Sequence, residues 1–149
     1  MPNLSIIKQT PLFKELSEEA LAFLDGHAIA RTFQADEVVA AEGSLGDCMF
    51  IIKSGALDVV LSRGAPGMVK IARLSPGDFV GEISLIDSQP RSASIVASKD
   101  AEVLIINRQA LLDLHEVDFK AFMKVIVNIT RKLGERLRET DKVIAGISK

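Results

Sequence analysis

The order of apolar and polar residues divides this chain into three stretches of different period. Over residues 1–27 the pattern is helical, with Ser17 standing just before Glu18-Glu19-Ala20-Leu21-Ala22-Phe23-Leu24. A serine hydroxyl is a good helix N-cap, and acidic groups in the first turn complement the helix dipole. The spacing therefore predicts a helix over 18–24 behind Pro11-Leu12-Phe13, with Gly26 as its stop. From 28 to 106 the period shortens. Apolar runs at 29–33, 38–41, 48–52, 56–61, 69–74, 94–97 and 102–106 alternate with turn signals, among them glycines 43, 46, 55, 64, 67 and 77. Short strands at near-regular spacing predict an antiparallel sandwich or jelly roll rather than a parallel sheet.

After residue 106 the period becomes helical again. Asn107 can cap a helix over 108–115, and Asp118 a longer one carrying Phe119, Phe122, Ile126, Ile129 and Leu133 at 3,4,3,4 spacing. The stripe continues less cleanly through Leu137, Thr140, Ile144 and Ile147. Such a seam packs on its own domain or on a second copy of the chain. Gly134 within it costs about 1 kcal/mol relative to alanine and either lets a partner helix approach closely or is simply tolerated. The fold class is thus mainly β, a double-stranded β-helix (jelly-roll) barrel of about eight strands. An N-terminal helix precedes it and long C-terminal helices follow, all within one domain over residues 1–149.

Composition narrows the classes. A chain of 149 residues, 48% hydrophobic and 26% charged, is a soluble globular domain of ordinary size. A net charge of −2 supplies no basic field for nucleic acid or a membrane surface. The single cysteine, Cys48, allows no internal disulfide, which fits a reducing cytoplasm. Its place in the run 48–52 predicts a buried strand thiol. No run approaches the roughly 20 apolar residues that cross a bilayer, and no basic-then-apolar leader is present. The expectation is a cytoplasmic protein without a membrane partner.

The chemistry is concentrated in residues 81–94. A Gly81-Glu82-Ile83-Ser84 start can form a short helical turn whose free N–H groups attract phosphate. Arg91 adds a planar fork suited to phosphate oxygens, each charged hydrogen bond contributing about 1.5–3 kcal/mol. Glu82, acceptor-only when ionised, cannot serve a phosphate but can accept from a sugar hydroxyl. An anion seat beside a hydroxyl acceptor points to a phosphorylated sugar, hence a nucleotide. A mere surface ion pair of Glu82 and Arg91 would contribute only about 0–1 kcal/mol and would not call for the small residues around them.

These residues stand as Phe79-Val80-Gly81-Glu82-Ile83-Ser84-Leu85, then Pro90-Arg91-Ser92-Ala93. The segment resembles the phosphate-binding cassette of cyclic nucleotide-binding domains, as found in catabolite activators and protein kinase A regulatory subunits. The stretch from Glu42 through Gly43 to Gly55 and the turn Leu74-Ser75-Pro76-Gly77-Asp78 resemble the same family, so the likeness covers nearly the whole chain. It implies that Arg91 binds the cyclic phosphate with help from N–H groups around Ser84 and Ser92 and from the Ser92 hydroxyl. It further implies that Glu82 takes the ribose 2′-hydroxyl and that Gly81 lets the backbone come close. Ile83 and Ala93 complete the cassette, and the strand between Gly43 and Gly55 would carry the pocket's aliphatic wall. On the C-terminal helix, Arg136 and Thr140 are the implied base contacts. The same helix would lid the pocket and form a homodimer interface.

The implied function is a regulatory module that reversibly binds a cyclic nucleotide monophosphate, cAMP favoured over cGMP, and signals through the C-terminal helix. The rival reading is a degenerate relative that keeps the fold for dimerisation or interaction without nucleotide. His27 and His115 are isolated, so no metal cluster is expected, and no nucleophile–base arrangement indicates an enzyme. The basic residues Arg131, Lys132, Arg136 and Arg138 are interleaved with Glu135 and Glu139, which reads as a solvated face without nucleic-acid contact. No helix-turn-helix follows in this sequence. The chain is expected to be either a stand-alone sensor or a piece of a longer transcription regulator or channel.

Overall fold

The computed structural model describes residues 3–62 and 68–148, so the turn signals Gly64 and Gly67 and the side chain of Ile147 lie outside the described residues. Helix α1 (Leu4–Gln9) and a 3-10 turn (Pro11–Phe13) lead into α2 (Glu18–His27). The Ser17 hydroxyl accepts from the Ala20 N–H at 3.1 Å, as its N-cap position predicts. Gly26 does not end this helix, which runs one residue further and closes at Ala28.

Six strands follow: β1 (Ile29–Phe33), β2 (Val38–Ala40), β3 (Cys48–Ser62), β4 (Met68–Leu74), β5 (Phe79–Val80) and β6 (Ser94–Asn107). All pairings are antiparallel, with β1, β6, β3 and β4 in spatial order, β2 on β6 and β5 on β3. The expected closed barrel is therefore corrected to a sheet that is not closed as a barrel, with six strands among the described residues. Runs 48–52 and 56–61 are a single strand, as are 94–97 and 102–106. The reason lies at Gly55. Its φ of +81° and the register shifts on either side of it bend β3 without interrupting its ladder to β6. A Cβ at Gly55 would lie 2.1 Å from the Asp100 carbonyl oxygen, so only glycine lets the two strands pass so closely.

Alternation along β3 and β6 builds two cores. Met49, Ile51, Leu104 and Ile106 face the helices, where they join Leu12, Phe13 and Leu24 with Leu111, Leu114, Val125 and Ile129. Phe50, Ile52 and Val103 point the other way and gather with Phe33, Leu57, Ile95, Ala97 and Ala101. Side chains of successive strand residues leave on opposite faces, so one strand feeds both clusters.

Helix α3 (Arg108–Val117) starts where β6 ends, with Asn107 Oδ1 accepting from the Ala110 N–H at 2.8 Å. Helix α4 (Phe119–Ser148) follows at once, Asp118 Oδ1 accepting from the Ala121 N–H at 3.0 Å. Its 30 residues extend about 45 Å. The buried face is Ala121, Val125, Asn128 and Ile129, with Phe122, Ile126 and Leu133 half-buried beside it. Phe119 is outside it, 57% exposed. Asn128 Nδ2 donates to the carbonyls of Leu12 (3.0 Å) and Lys14 (3.1 Å), which ties the middle of α4 to the N-terminal segment. From residue 135 to 146 every position is exposed.

Candidate functional site

Glycine 81 sets the geometry of the site. It closes the short β5 in the left-handed region, φ +87°, and serves as N-cap of a 3-10 turn over Glu82–Leu85. A Cβ there would lie 3.0 Å from the Cys48 carbonyl oxygen and 3.2 Å from Arg91 Nη1, so the turn and the arginine share space that a side chain would fill. The turn is fed by a tight bend in which the Ser75 N–H donates to Asp78 Oδ2 at 2.8 Å and the Asp78 N–H to the Ser75 carbonyl at 2.9 Å. The Ser84 N–H donates to the Gly81 carbonyl at 3.0 Å and is thereby engaged inside the turn. The N–H groups that open the turn, those of Glu82 and Ile83, are the ones helix geometry leaves over.

Glu82 is 1% exposed, yet its Oε1 has no hydrogen bond among the described residues. Arg136 Nη1, reaching from α4, sits against that oxygen as an ion pair whose N–H directions miss hydrogen-bond geometry. A buried carboxylate oxygen in this state is an acceptor still wanting a donor.

Arg91 is half-buried and faces the same cavity. Its guanidinium lies over the Phe50 ring, 5.3 Å from the centroid, and Nη2 donates to the Cys48 carbonyl at 3.2 Å. Among the described residues it makes no ion pair. Cys48 Sγ is 3.6 Å from Nη2. The thiol, half-buried rather than buried as expected, is pushed above its ordinary value by burial, with the arginine pulling it back in part. It stays protonated at neutral pH, so it gives Arg91 no negative charge to compete with an incoming anion.

The cavity encloses about 390 Å³, within the range that holds a nucleotide-sized ligand. Of the residues singled out in the sequence, Gly81, Glu82, Ile83, Ser84, Arg91, Ser92, Ala93 and Arg136 all line it. Thr140 does not. It is exposed one turn beyond Arg136, its hydroxyl donating to the Arg136 carbonyl at 3.0 Å. The aliphatic wall comes from Val59, Val80 and Ile95 instead of the strand between Gly43 and Gly55. Val59 and Ile95 are direct cross-strand partners in β3 and β6, a pairing that local sequence does not announce. Among the described residues no group of three His, Cys, Asp or Glu side chains could hold a metal ion. His27 stacks on Phe23, and His115 meets the edges of Phe119 and Phe122. No helix among the described residues is long and apolar enough to cross a membrane.

The family model for the cyclic nucleotide-binding domain matches residues 30–118. The chain belongs to this family. The domain is a regulatory nucleotide-binding one rather than a catalytic one. The cyclic AMP receptor protein of Thermus thermophilus is 30% identical over 135 residues, 91% of this chain and 61% of that protein. A cAMP-dependent protein kinase regulatory subunit of Blastocladiella emersonii is 32% identical over 97 residues, 65% of this chain and 24% of that protein. The chain thus spans between 24% and 61% of the length of these two relatives. Among solved structures, a cyclic nucleotide-binding domain from Methylobacillus flagellatus superposes with a TM-score of 0.80 at 31% identity, covering 95% of this chain and 80% of that one.

Proposed function

We propose that this chain is a regulatory module that reversibly binds a cyclic nucleotide monophosphate, cAMP in preference to cGMP. One observation carries the reading. Among the described residues, a half-buried arginine without an ion-pair partner and a buried carboxylate oxygen without a hydrogen bond face one cavity. The first suits a phosphate, the second a ribose hydroxyl. Arg91 takes the cyclic phosphate together with the N–H groups that open the turn at Glu82, and the exposed Ser92 hydroxyl adds a donor from the rim. Glu82 accepts from the ribose. Arg136 meets the base from α4, a role supported by its guanidinium lining the cavity against Glu82. The preference for cAMP rests on the relatives, two of which are named for that nucleotide.

Nucleotide entry changes what Arg136 and Glu82 have to share, and α4 is the element that moves with Arg136. The signal passes along α4 to a second copy of the chain in the cytoplasm, or to whatever follows α4 in a longer protein. A ligand shifts such an equilibrium only by its differential affinity for the two positions of the helix.

Titration calorimetry with cAMP and cGMP tests the reading on wild type and Arg91→Ala. The expected result is saturable binding by wild type, tighter for cAMP, and a loss of about 100-fold or more in the variant, in line with two or more charged hydrogen bonds. Wild type that binds neither nucleotide would return the chain to the alternative, a module that keeps the fold without the ligand.

A further inference from the structure

The proposed site has two halves, the turn that carries Glu82 and the arm that carries Arg91, and among the described residues no ion pair joins their side chains. Residues 43–47 hold the arm. The Gly43 N–H donates to the Arg91 carbonyl at 2.8 Å, the Arg91 N–H to the Ser44 carbonyl at 2.7 Å, and the Gly46 N–H to the Gln89 carbonyl at 3.3 Å. The turn is reached from elsewhere. Arg108 Nη2 donates to the Ser84 carbonyl at 2.6 Å and, from the same nitrogen, to the Gly46 carbonyl at 3.1 Å. The Arg108 N–H donates to the Asp47 carbonyl at 2.7 Å. Arg108 makes no ion pair among the described residues, so its charge is met by these carbonyls.

Arg108 is also the first residue of α3. Leu85, at the end of the turn, packs in one cluster with Ala110, Leu111 and Leu114 of α3 and with Val125 and Ile129 of α4. The turn, residues 43–47 and α3 therefore meet at one guanidinium, with an apolar contact behind it.

We propose that Arg108 is a positioning residue. It sets the Glu82 turn at a fixed distance from the Arg91 arm, and it makes the turn and α3 shift as one body when the cavity fills. It touches no ligand and acts through the Ser84 and Gly46 carbonyls. The inference rests on the nucleotide reading above and adds the route by which occupancy reaches the helices.

Arg108→Met keeps the apolar stem and removes both donors, and Arg108→Lys keeps a cation without the planar fork. Calorimetry measures affinity for cAMP and cGMP. Hydrogen exchange, with and without saturating nucleotide, reads the amides of Arg108–Val117. The expected order of affinity is wild type, then R108K, then R108M, the last weaker by about tenfold. At saturation the ligand-dependent change in exchange over α3 is present in wild type, reduced in R108K and lost in R108M, while all three unligated proteins melt within a few degrees of one another. An R108M protein that binds as wild type does, or that keeps the exchange change in α3, overturns the inference. So does an R108M protein that fails to fold, because the residue is then a structural clamp and not a positioning one. Wild type that binds neither nucleotide overturns the nucleotide reading itself, and this inference with it.

Discussion

The part of this protein that sequence exposes best is a handful of single residues whose chemistry is local. Gly81, Glu82 and Arg91 announce an anion and a hydroxyl because small residues surround two opposite charges within one short segment, and all three line one cavity. Arg108 gives no such signal. Its partners are carbonyls 24 and 62 positions away, and a carbonyl belongs to every residue type. The aliphatic wall at Val59 and Ile95 was hidden for the same reason, since only strand pairing joins them. Gly81 offers a direct test at this scale. Gly81→Ala forces a side chain into a left-handed backbone, which costs about 1–2 kcal/mol, and it crowds Arg91 Nη1 and the Cys48 carbonyl. The variant is expected to melt several degrees lower and to bind nucleotide more weakly. Thermal unfolding and calorimetry check the two effects separately, and an unaltered affinity would show that Arg91 does not depend on the turn's backbone.

At the scale of elements, apolar periodicity located the strands and helices but not their continuity. A glycine in a run reads as a turn, yet at Gly55 the β3–β6 ladder continues through it, because backbone pairing on both sides outweighs one bend. The edge strand β4 shows what else the pattern leaves out. It sends Lys70 and Arg73 back to Asp58 of β3, at 3.1 and 3.0 Å, onto a carboxylate whose side chain is only 10% exposed. The Arg73 hydrogen bond, with help from Lys70 and against the cost of burial, holds the Asp58 carboxyl below the usual carboxylate range. Because the folded-state value lies below the unfolded one, this carboxylate stabilises the fold above about pH 5, and the gain disappears as pH falls through the folded-state value. Asp58→Asn is therefore expected to melt below wild type at pH 7, with the gap narrowing as pH is lowered from 7 through the usual carboxylate range and below it. Melting temperatures across that range decide it, and a gap that stays constant with pH would remove Asp58 as its source.

Over the whole molecule, the balance of buried and exposed surface bears on how α4 ends. The C-terminal stripe was expected to serve either the chain's own core or a second copy, and its two halves have different surroundings. Up to Leu133 it faces α3 and the N-terminal segment, held there by the Asn128 hydrogen bonds to Leu12 and Lys14. Beyond it, Leu137 and Val143 are 65% and 61% exposed on a stretch of helix, 135–146, in which every residue is exposed. The exposed ion pairs Lys132–Glu135 and Lys142–Glu139 contribute little to holding such a helix in place. Exposed apolar side chains of this size in water favour burial against another helix. If the second copy is that partner, a double variant Leu137→Glu with Val143→Glu keeps its fold, since neither side chain is part of the core. Its melting temperature at low concentration should match wild type within a few degrees. Sedimentation velocity over a concentration series should show wild type shifting from monomer to dimer while the variant stays monomeric. A wild type that stays monomeric throughout would leave α4 to act within one chain, through Arg136 against Glu82 and the apolar packing of Val125 and Ile129 on Leu85.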